Sequence, residues 1–284
     1  MKAAKKTPLL VSGIALALLA ASAAPAFAQE SDSWTGLYVG GHAGGIVAPN
    51  GNGSIDFDTN LDGNFGDTIR TTTGANAFAT GACGGQARSP RAADSCKDDT
   101  GGADWGVRVG YDWQSGKWVY GVLGEYSMND VRDAVTAFST TPASYTMLRK
   151  IDGLGAIRAR IGYTITSDDR TLLYATGGVA SGRVENSFTS SNRVNQFTSS
   201  GDDDNATGYQ AGLGVERRIG DRFSVGLEYL YTNLQDEDAR VRVARGTAPA
   251  TSPFILVNGN GTDFRRNDDD FDFSSFRLTA SYRF

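Results

Sequence analysis

Phe276-Arg277-Leu278-Thr279-Ala280-Ser281-Tyr282-Arg283-Phe284 is the stretch whose reading decides the fold. Phe276, Leu278, Ala280, Tyr282 and Phe284 fall on one side of an extended chain, and Arg277, Thr279, Ser281 and Arg283 on the other. Successive side chains of a strand point to opposite faces, so this segment reads as a strand with one apolar and one charged face. The same period of two recurs upstream. Phe223, Val225, Leu227, Tyr229 and Tyr231 alternate with Ser224, Gly226 and Glu228; Tyr209, Ala211, Leu213 and Val215 with Gln210, Gly212, Gly214 and Glu216. Trp105, Val107, Val109, Tyr111 and Trp113 alternate with Gly106, Arg108 and Gly110; Trp118, Tyr120, Val122 and Tyr126 with Gly121 and Glu125; Ile157, Ala159, Ile161 and Tyr163 with Arg158 and Arg160. Two less regular Gly-rich segments, Trp34 to Gly45 and Leu172 to Gly182, complete a set of eight. Helical periodicity with capping signals is absent.

The connections sort into two kinds. Residues 113–118, 166–170 and 218–222 make tight turns, whereas the stretches at about 46–103, 129–150, 183–206 and 235–271 are long and polar. Long and short connections alternate strictly, which is the layout of an outer-membrane barrel with short periplasmic turns and long extracellular loops. A soluble barrel alternates too. Here, however, Arg108, Glu125, Arg158, Arg160, Glu216, Glu228, Arg277 and Arg283 sit mid-strand with both signs present, so they can pair as a charge network in a narrow lumen. Tyr and Trp near strand ends suit the two membrane interfaces. The expected fold is therefore all-β: a transmembrane antiparallel up-and-down β-barrel of eight strands. In the last connection, Val241-Arg242-Val243 and Phe254-Ile255-Leu256-Val257 are expected either to pair as a hairpin above the membrane or to raise the barrel to ten strands.

The N-terminus reads as an export signal. Lys2, Lys5 and Lys6 precede an apolar run from Leu9 to Ala20, and Ala26-Phe27-Ala28 stands before Gln29 as an A-x-A cleavage site. The apolar run is well short of the roughly 20 residues a membrane-spanning helix needs. Residues 1–28 are thus expected to be a signal peptide and residues 29–284 the barrel domain. Losing the three lysines takes the 27 basic residues to 24, against 32 acidic ones. So acidic a chain is not built to grip nucleic acid. Cys83 and Cys96 lie in the first long connection, and an exported chain meets an oxidising compartment, so a disulfide closing this loop is expected.

These residues resemble a known family. Trp34-Thr35-Gly36-Leu37-Tyr38-Val39-Gly40-Gly41 is similar to the first strand of small α-proteobacterial outer-membrane proteins, the major surface proteins labelled "porin family" or opacity-like. Gly110-Tyr111-Asp112 and the terminal Ser281-Tyr282-Arg283-Phe284 resemble theirs too. The aromatic final residue resembles the signal read by the barrel-assembly machinery. The stretch from Asp58 through Cys83 and Cys96 resembles a subgroup with a long disulfide-closed first loop. The resemblance implies an outer-membrane barrel in contact with lipid and lipopolysaccharide. The chain ends at Phe284, which departs from two-domain relatives that carry a cell-wall-binding domain after the barrel.

Few residues suggest chemistry. His42 is the single histidine, in the first strand, and reads as a structural or lumen residue without a serine-triad context. Asp58-x-Asn60-x-Asp62-Gly63-Asn64 resembles the first half of a calcium-binding EF-hand loop, although the twelfth position is Ile69 where a bidentate Glu would stand. Acidic runs at 202–204, 236–238 and 268–270 read as solvated loop, or as places where divalent cations bridge to lipopolysaccharide phosphates. An eight-stranded barrel is filled by its own side chains. The expectation is thus a non-enzymatic surface protein with a structural role in the envelope. A small-solute porin and a loop-borne adhesin or ligand-binding module are the alternatives.

Overall fold

Alternation becomes strand wherever it was read, and the strands run further than the alternation. The computed structural model describes residues 33–47, 53–99, 101–201, 203–236 and 239–284. The expected signal segment 1–28 and the start at Gln29 lie outside them. In chain order the strands are β1 (Gly36–Val47), β2 (Ile55–Asp58), β3 (Ala82–Gly84), β4 (Gln86–Ala87), β5 (Cys96–Lys97), β6 (Ala103–Ser115), β7 (Trp118–Ser139) and β8 (Ala143–Thr164). They continue with β9 (Thr171–Ser190), β10 (Gln196–Ser200), β11 (Asp203–Ile219), β12 (Phe223–Gln235), β13 (Arg240–Ala244), β14 (Thr262–Arg266) and β15 (Asp270–Arg283).

The long strands β1, β6, β7, β8, β9, β11, β12 and β15 each pair antiparallel with the next, and β15 pairs back on β1 from Tyr38↔Arg283 to Val47↔Ser274. This is a closed up-and-down barrel of eight strands, not ten, with no free edge to template aggregation. The short turns are as read: Gly116-Lys117 with Gly116 at φ 59°, residues 165–170 with Asp169 at φ 51°, and Gly220 to Arg222 with Gly220 at φ 71°. The apolar face of every strand points out, with Val107 64%, Leu213 62% and Leu278 65% exposed. Rings gather at the two rims. Trp105, Tyr126 and Tyr209 stand toward the long-loop end, and Trp113, Trp118, Tyr163, Phe223 and Phe284 toward the short-turn end. Together these make a lipid-facing belt between two aromatic girdles.

The long connections are where sequence and structure part. A membrane strand needs about 9–11 residues, yet β7 and β8 are 22 residues each and β9 is 20. The stretch 129–150 is therefore no polar loop. It is the β7–β8 hairpin running past the membrane to a turn at 140–142. Register shifts at Met128/Val131 and Ile151/Leu154 mark where each strand leaves the barrel. Such irregularities re-aim a strand by changing which face its side chains take. Beyond this point β3 joins β7 and β9 stays paired with β8, while β10, β13, β14 and β2 form a separate four-stranded sheet in that order. Val241 to Val243 is thus a strand, but it pairs with β10 and β14 and not with Phe254 to Val257, where Pro253–Ile255 is a short 3-10 turn.

The two sheets pack over a second hydrophobic core. It includes Ile55, Phe57, Ile69, Phe78, Val135, Tyr145, Met147, Val241, Val243, Phe254 and Phe264, with Phe188 and Phe197 against its edge. Ring centroids of Phe57, Phe78, Tyr145, Phe254 and Phe264 lie 4.7–6.1 Å apart, edge-on or tilted, which suits the quadrupoles of aromatic rings. The long connections fold into a head. The Cys83–Cys96 disulfide ties its first segment, with β3 hydrogen-bonded to β7 on one side of the bond.

Two outcomes test this architecture in one gel. The refolded chain is expected to migrate differently when boiled and unboiled in detergent, because a closed barrel resists the detergent until heated. Reducing Cys83–Cys96 is expected to leave that shift intact while destabilising the head by roughly 3 kcal/mol, the effect of closing a loop of this size, read as a lower midpoint for protease sensitivity of the head alone.

Candidate functional site

The polar faces of the eight barrel strands converge on the barrel lumen. Arg108, Glu125, Arg158, Arg160, Glu216, Glu228, Arg277 and Arg283 all point inward, and none of these side chains is more than 4% exposed. They form two layers. Near the short-turn end, Arg160 donates from Nε to Asp112 Oδ1 (2.8 Å) and from Nη1 to Glu216 Oε2 (2.8 Å). Arg283 joins the same acids, Nη1 to Asp112 Oδ2 at 2.8 Å and Nη2 to Glu216 Oε1 at 3.1 Å. Ser224 Oγ also donates to Glu216. The rings of Tyr38, Tyr174 and Trp34 lie within 4.6–5.3 Å of these guanidinium carbons.

The middle layer is built from Arg108, Arg158 and Arg277. Arg108 Nη2 lies 3.0 Å from Glu125 Oε2 and 3.1 Å from Glu228 Oε1, and Arg158 Nη2 lies 2.9 and 3.2 Å from the same two atoms. Arg277 donates to Asp104 Oδ2 (2.5 Å) and Glu125 Oε1 (2.6 Å), and Tyr174 donates its hydroxyl to Glu228 Oε2 (2.9 Å). Five arginines thus face five carboxylates. The sequence reading missed Asp104, Asp112, Tyr38 and Tyr174. Asp104 and Asp112 were legible, since they share the odd-even phase of Arg108 on β6. The tyrosines were not, because an aromatic ring is usually assigned to the lipid face. Glycines make their room: a Cβ on Gly110 would lie 2.4 Å from the Tyr38 ring, and one on Gly214 2.3 Å from that of Tyr174.

His42 belongs to this layer. Its Nε2 is 3.3 Å from Asp104 Oδ1 and 3.4 Å from Ser127 Oγ, while Nδ1 is 3.6 Å from Glu125 Oε2. A nucleophile triad sets its hydroxyl and its acid on opposite ring nitrogens. Here Ser127 and Asp104 share Nε2, Glu125 stands 3.6 Å from Nδ1 without a hydrogen bond to it, and all four residues are buried.

Toward the long-loop end, the interior changes from charged to apolar. Ile46, Val131, Ile151, Leu154, Ala180, Val184, Leu234, Phe271 and Phe273 meet as a plug drawn from β1, β7, β8, β9, β12 and β15. Above it, where barrel passes into head, Asp133 Oδ2 accepts from Arg149 Nη2 and Arg266 Nη2, each at 2.7 Å. Arg149 also donates to the carbonyls of Asp268 and Asp270. Burial acts to raise the Asp133 carboxyl, but Arg266 and Arg149 outweigh it and hold it below its ordinary value. Nearby Asp99 has no such surplus. Burial, and then the charge of Asp133, push its carboxyl up to about 6.

The residues expected to hold calcium build a turn. Asp58 Oδ1 accepts from the Leu61 amide (2.7 Å) and Oδ2 from the Gly63 amide (2.8 Å). Asn60 Oδ1 takes the Asp62 amide and Asp62 Oδ1 the Asn64 amide. Ile69, at the position where an EF-hand places its bidentate Glu, is fully buried in the head core. The described residues contain no group of three or more acidic, His or Cys side chains placed to hold a metal ion. Of the acidic runs, Asp202, Glu237 and Asp238 lie outside the described residues, and Asp268 and Asp270 serve Arg149 through their backbone carbonyls.

Comparison with known proteins agrees with this geometry. A family model described as "Outer membrane protein beta-barrel domain" matches residues 14–284. The chain is 30% identical over 181 residues to the 31 kDa outer-membrane immunogenic protein of Brucella melitensis biotype 1, covering 59% of this chain and 73% of that one. It is 35% identical over 136 residues to the 22 kDa outer membrane protein of Rhizobium leguminosarum bv. viciae, covering 46% and 53% respectively. Among solved structures, the outer membrane protein OprG from Pseudomonas aeruginosa aligns over 90% of this chain and 99% of its own, at 12% identity and a TM-score of 0.45.

Two substitutions probe the charges. Glu125→Ala leaves Arg158 and Arg277 buried and short of a carboxylate. It is expected to cost about 3–5 kcal/mol, measured as a lower urea midpoint of the barrel. Asp99→Asn removes an acid whose folded-state value lies above its unfolded one. The wild-type head therefore loses stability as pH rises from about 4 to about 6. The variant is expected to be the more stable of the two above pH 6 and equal to wild type below about pH 4, in thermal melts across that range.

Proposed function

Because this chain belongs to the outer membrane protein β-barrel domain family and resides in the outer membrane, we propose that it is a non-conducting, non-enzymatic anchor that presents a folded head at the cell surface. One observation carries the reading. The lumen is closed along its length, by interlocked ion pairs below and an apolar plug above, with the charged side chains out of reach of water. A water-filled pore would hydrate such groups, and pore-forming barrels are wider. Catalysis would need a reachable nucleophile or acid pair, and the candidate residues of the lumen are sealed.

On this reading the leading segment 1–28 exports the chain and is removed before Gln29. The assembly machinery reads the β15 end, and lipid and lipopolysaccharide surround the belt. Contact with the outside falls to the head, in keeping with a Brucella relative named as an outer-membrane immunogenic protein.

The measurement is solute flux into liposomes carrying the refolded chain from Gln29. Flux no higher than in empty liposomes is expected. Reproducible flux with a size cutoff would make the protein a porin and would overturn the closed lumen.

A further inference from the structure

The outward face of the head's four-stranded sheet holds two arginines that anchoring does not use. Across the β13–β14 pairing Arg240 stands directly opposite Arg265. At that placement side chains are close neighbours and like charges repel. The next row of the same sheet is balanced, since Arg242 pairs with Asp263 (Nη2 to Oδ2, 2.8 Å). The first row is not. Ser200 of β10 flanks Arg240, and Asp56 of β2 stands opposite Arg265 without closing an ion pair with it. Neither guanidinium donates a hydrogen bond to a described residue, and Arg265 Nε is buried with no acceptor.

What holds the pair is a ring. The guanidinium carbons of Arg240 and Arg265 lie 5.3 and 4.3 Å from the centroid of Phe65. Cation–π contact lowers the cost of the like-charge approach and fixes the planes. Phe65 in turn is placed by the Asp58 turn. Gly63 sits at φ 87°, and the amides of Gly66 and Asp67 both donate to the Phe57 carbonyl, at 3.0 and 2.9 Å. The motif that resembles half a calcium loop therefore works as the support for an aromatic platform.

We propose that Arg240, Arg265 and Phe65 form a site for a phosphate or sulfate ester carried on a saccharide. Each guanidinium is a planar fork of five donors, matched to oxyanions. Two adjacent forks offer more donors than the two oxygens of a carboxylate can use, whereas the three free oxygens of a phosphate or sulfate ester can bridge both. The location fits a saccharide carrier. Arg240 begins β13 just beyond the end of β12 at Gln235, so the pair lies at the barrel-proximal end of the head, above the aromatic girdle. Two sources present this chemistry there: the phosphorylated core of lipopolysaccharide in the same membrane, and a sulfated or phosphorylated glycan from outside.

The test uses the full chain from Gln29 and two probes. Dextran sulfate is titrated calorimetrically against the protein in detergent micelles. Separately, the thermal midpoint of the head is compared in phospholipid liposomes with and without lipopolysaccharide. Arg240→Gln/Arg265→Gln is expected to weaken dextran sulfate binding by about tenfold or more, or to abolish the lipopolysaccharide-dependent shift. Arg70→Gln/Arg132→Gln, which removes the same charge elsewhere in the head, is expected to change neither by as much as about twofold. Retention of the boiled-versus-unboiled gel shift shows that each variant folds. If the glutamine pair does not fold, Arg240→Lys/Arg265→Lys keeps the charge without the forks and is expected to lose affinity in the same direction. An effect in the dextran arm alone assigns the site to an outside glycan, and one in the lipopolysaccharide arm alone assigns it to the home membrane. Failure of the wild type to respond to either probe would overturn the proposal, as would equal losses in the site and control variants.

Discussion

Charge inside this barrel has to be paired, because its side chains are buried away from solvent. Removing a guanidinium or a carboxylate from water costs several kcal/mol even after relaxation, and a single partner rarely repays it. The lumen meets that constraint by sharing. Glu125 serves Arg108, Arg158 and Arg277, while Glu228 serves Arg108 and Arg158 and also takes the Tyr174 hydroxyl. Partners come from strands far apart in sequence, such as Arg277 of β15 with Glu125 of β7. A slip of one residue in any strand would send its charges to the lipid face. The network therefore fixes register around the ring as well as closing the hole.

At the long-loop end the strands continue beyond the barrel. The β7–β8 hairpin continues from lipid into solvent without a break in hydrogen bonding, apart from the bulges that turn it. Asp133, Arg149 and Arg266 occupy the joint, so that β7, β8 and β14 are tied where barrel becomes head. Above the joint, the loop segments share a core with β7 and β8. A surface built on paired strands can present paired arginines on a phenylalanine platform, which a mobile loop would hold only at an entropic cost.

His42 and the Asp58 turn show what surroundings add to residue type. The histidine has a serine and two acids within reach, yet its Nδ1 carries no hydrogen bond and all of them are buried in the barrel interior. The aspartates and asparagines of the turn have oxygens at alternate positions, yet these accept backbone amides. In both cases the side chains take part in holding local shape.

The sequence by itself determined the barrel. Period-two alternation in six segments, with charges in one phase and most rings in the other, and two less regular Gly-rich segments beside them read as a barrel when one side is lipid and the other a narrow lumen. The same phase placed Arg277, Arg283 and their partners inside, and would have placed Asp104 and Asp112 there as well. Only the tertiary structure decided the head. From Asp133 to Phe138, β7 is buried on both faces, and a strand buried on both sides needs no alternation. Its sequence therefore looked like loop. The cross-strand pairing of Arg240 with Arg265, and the arrival of Phe65 from a distant turn, depend on contacts between segments far apart in the chain, and no local pattern encodes them.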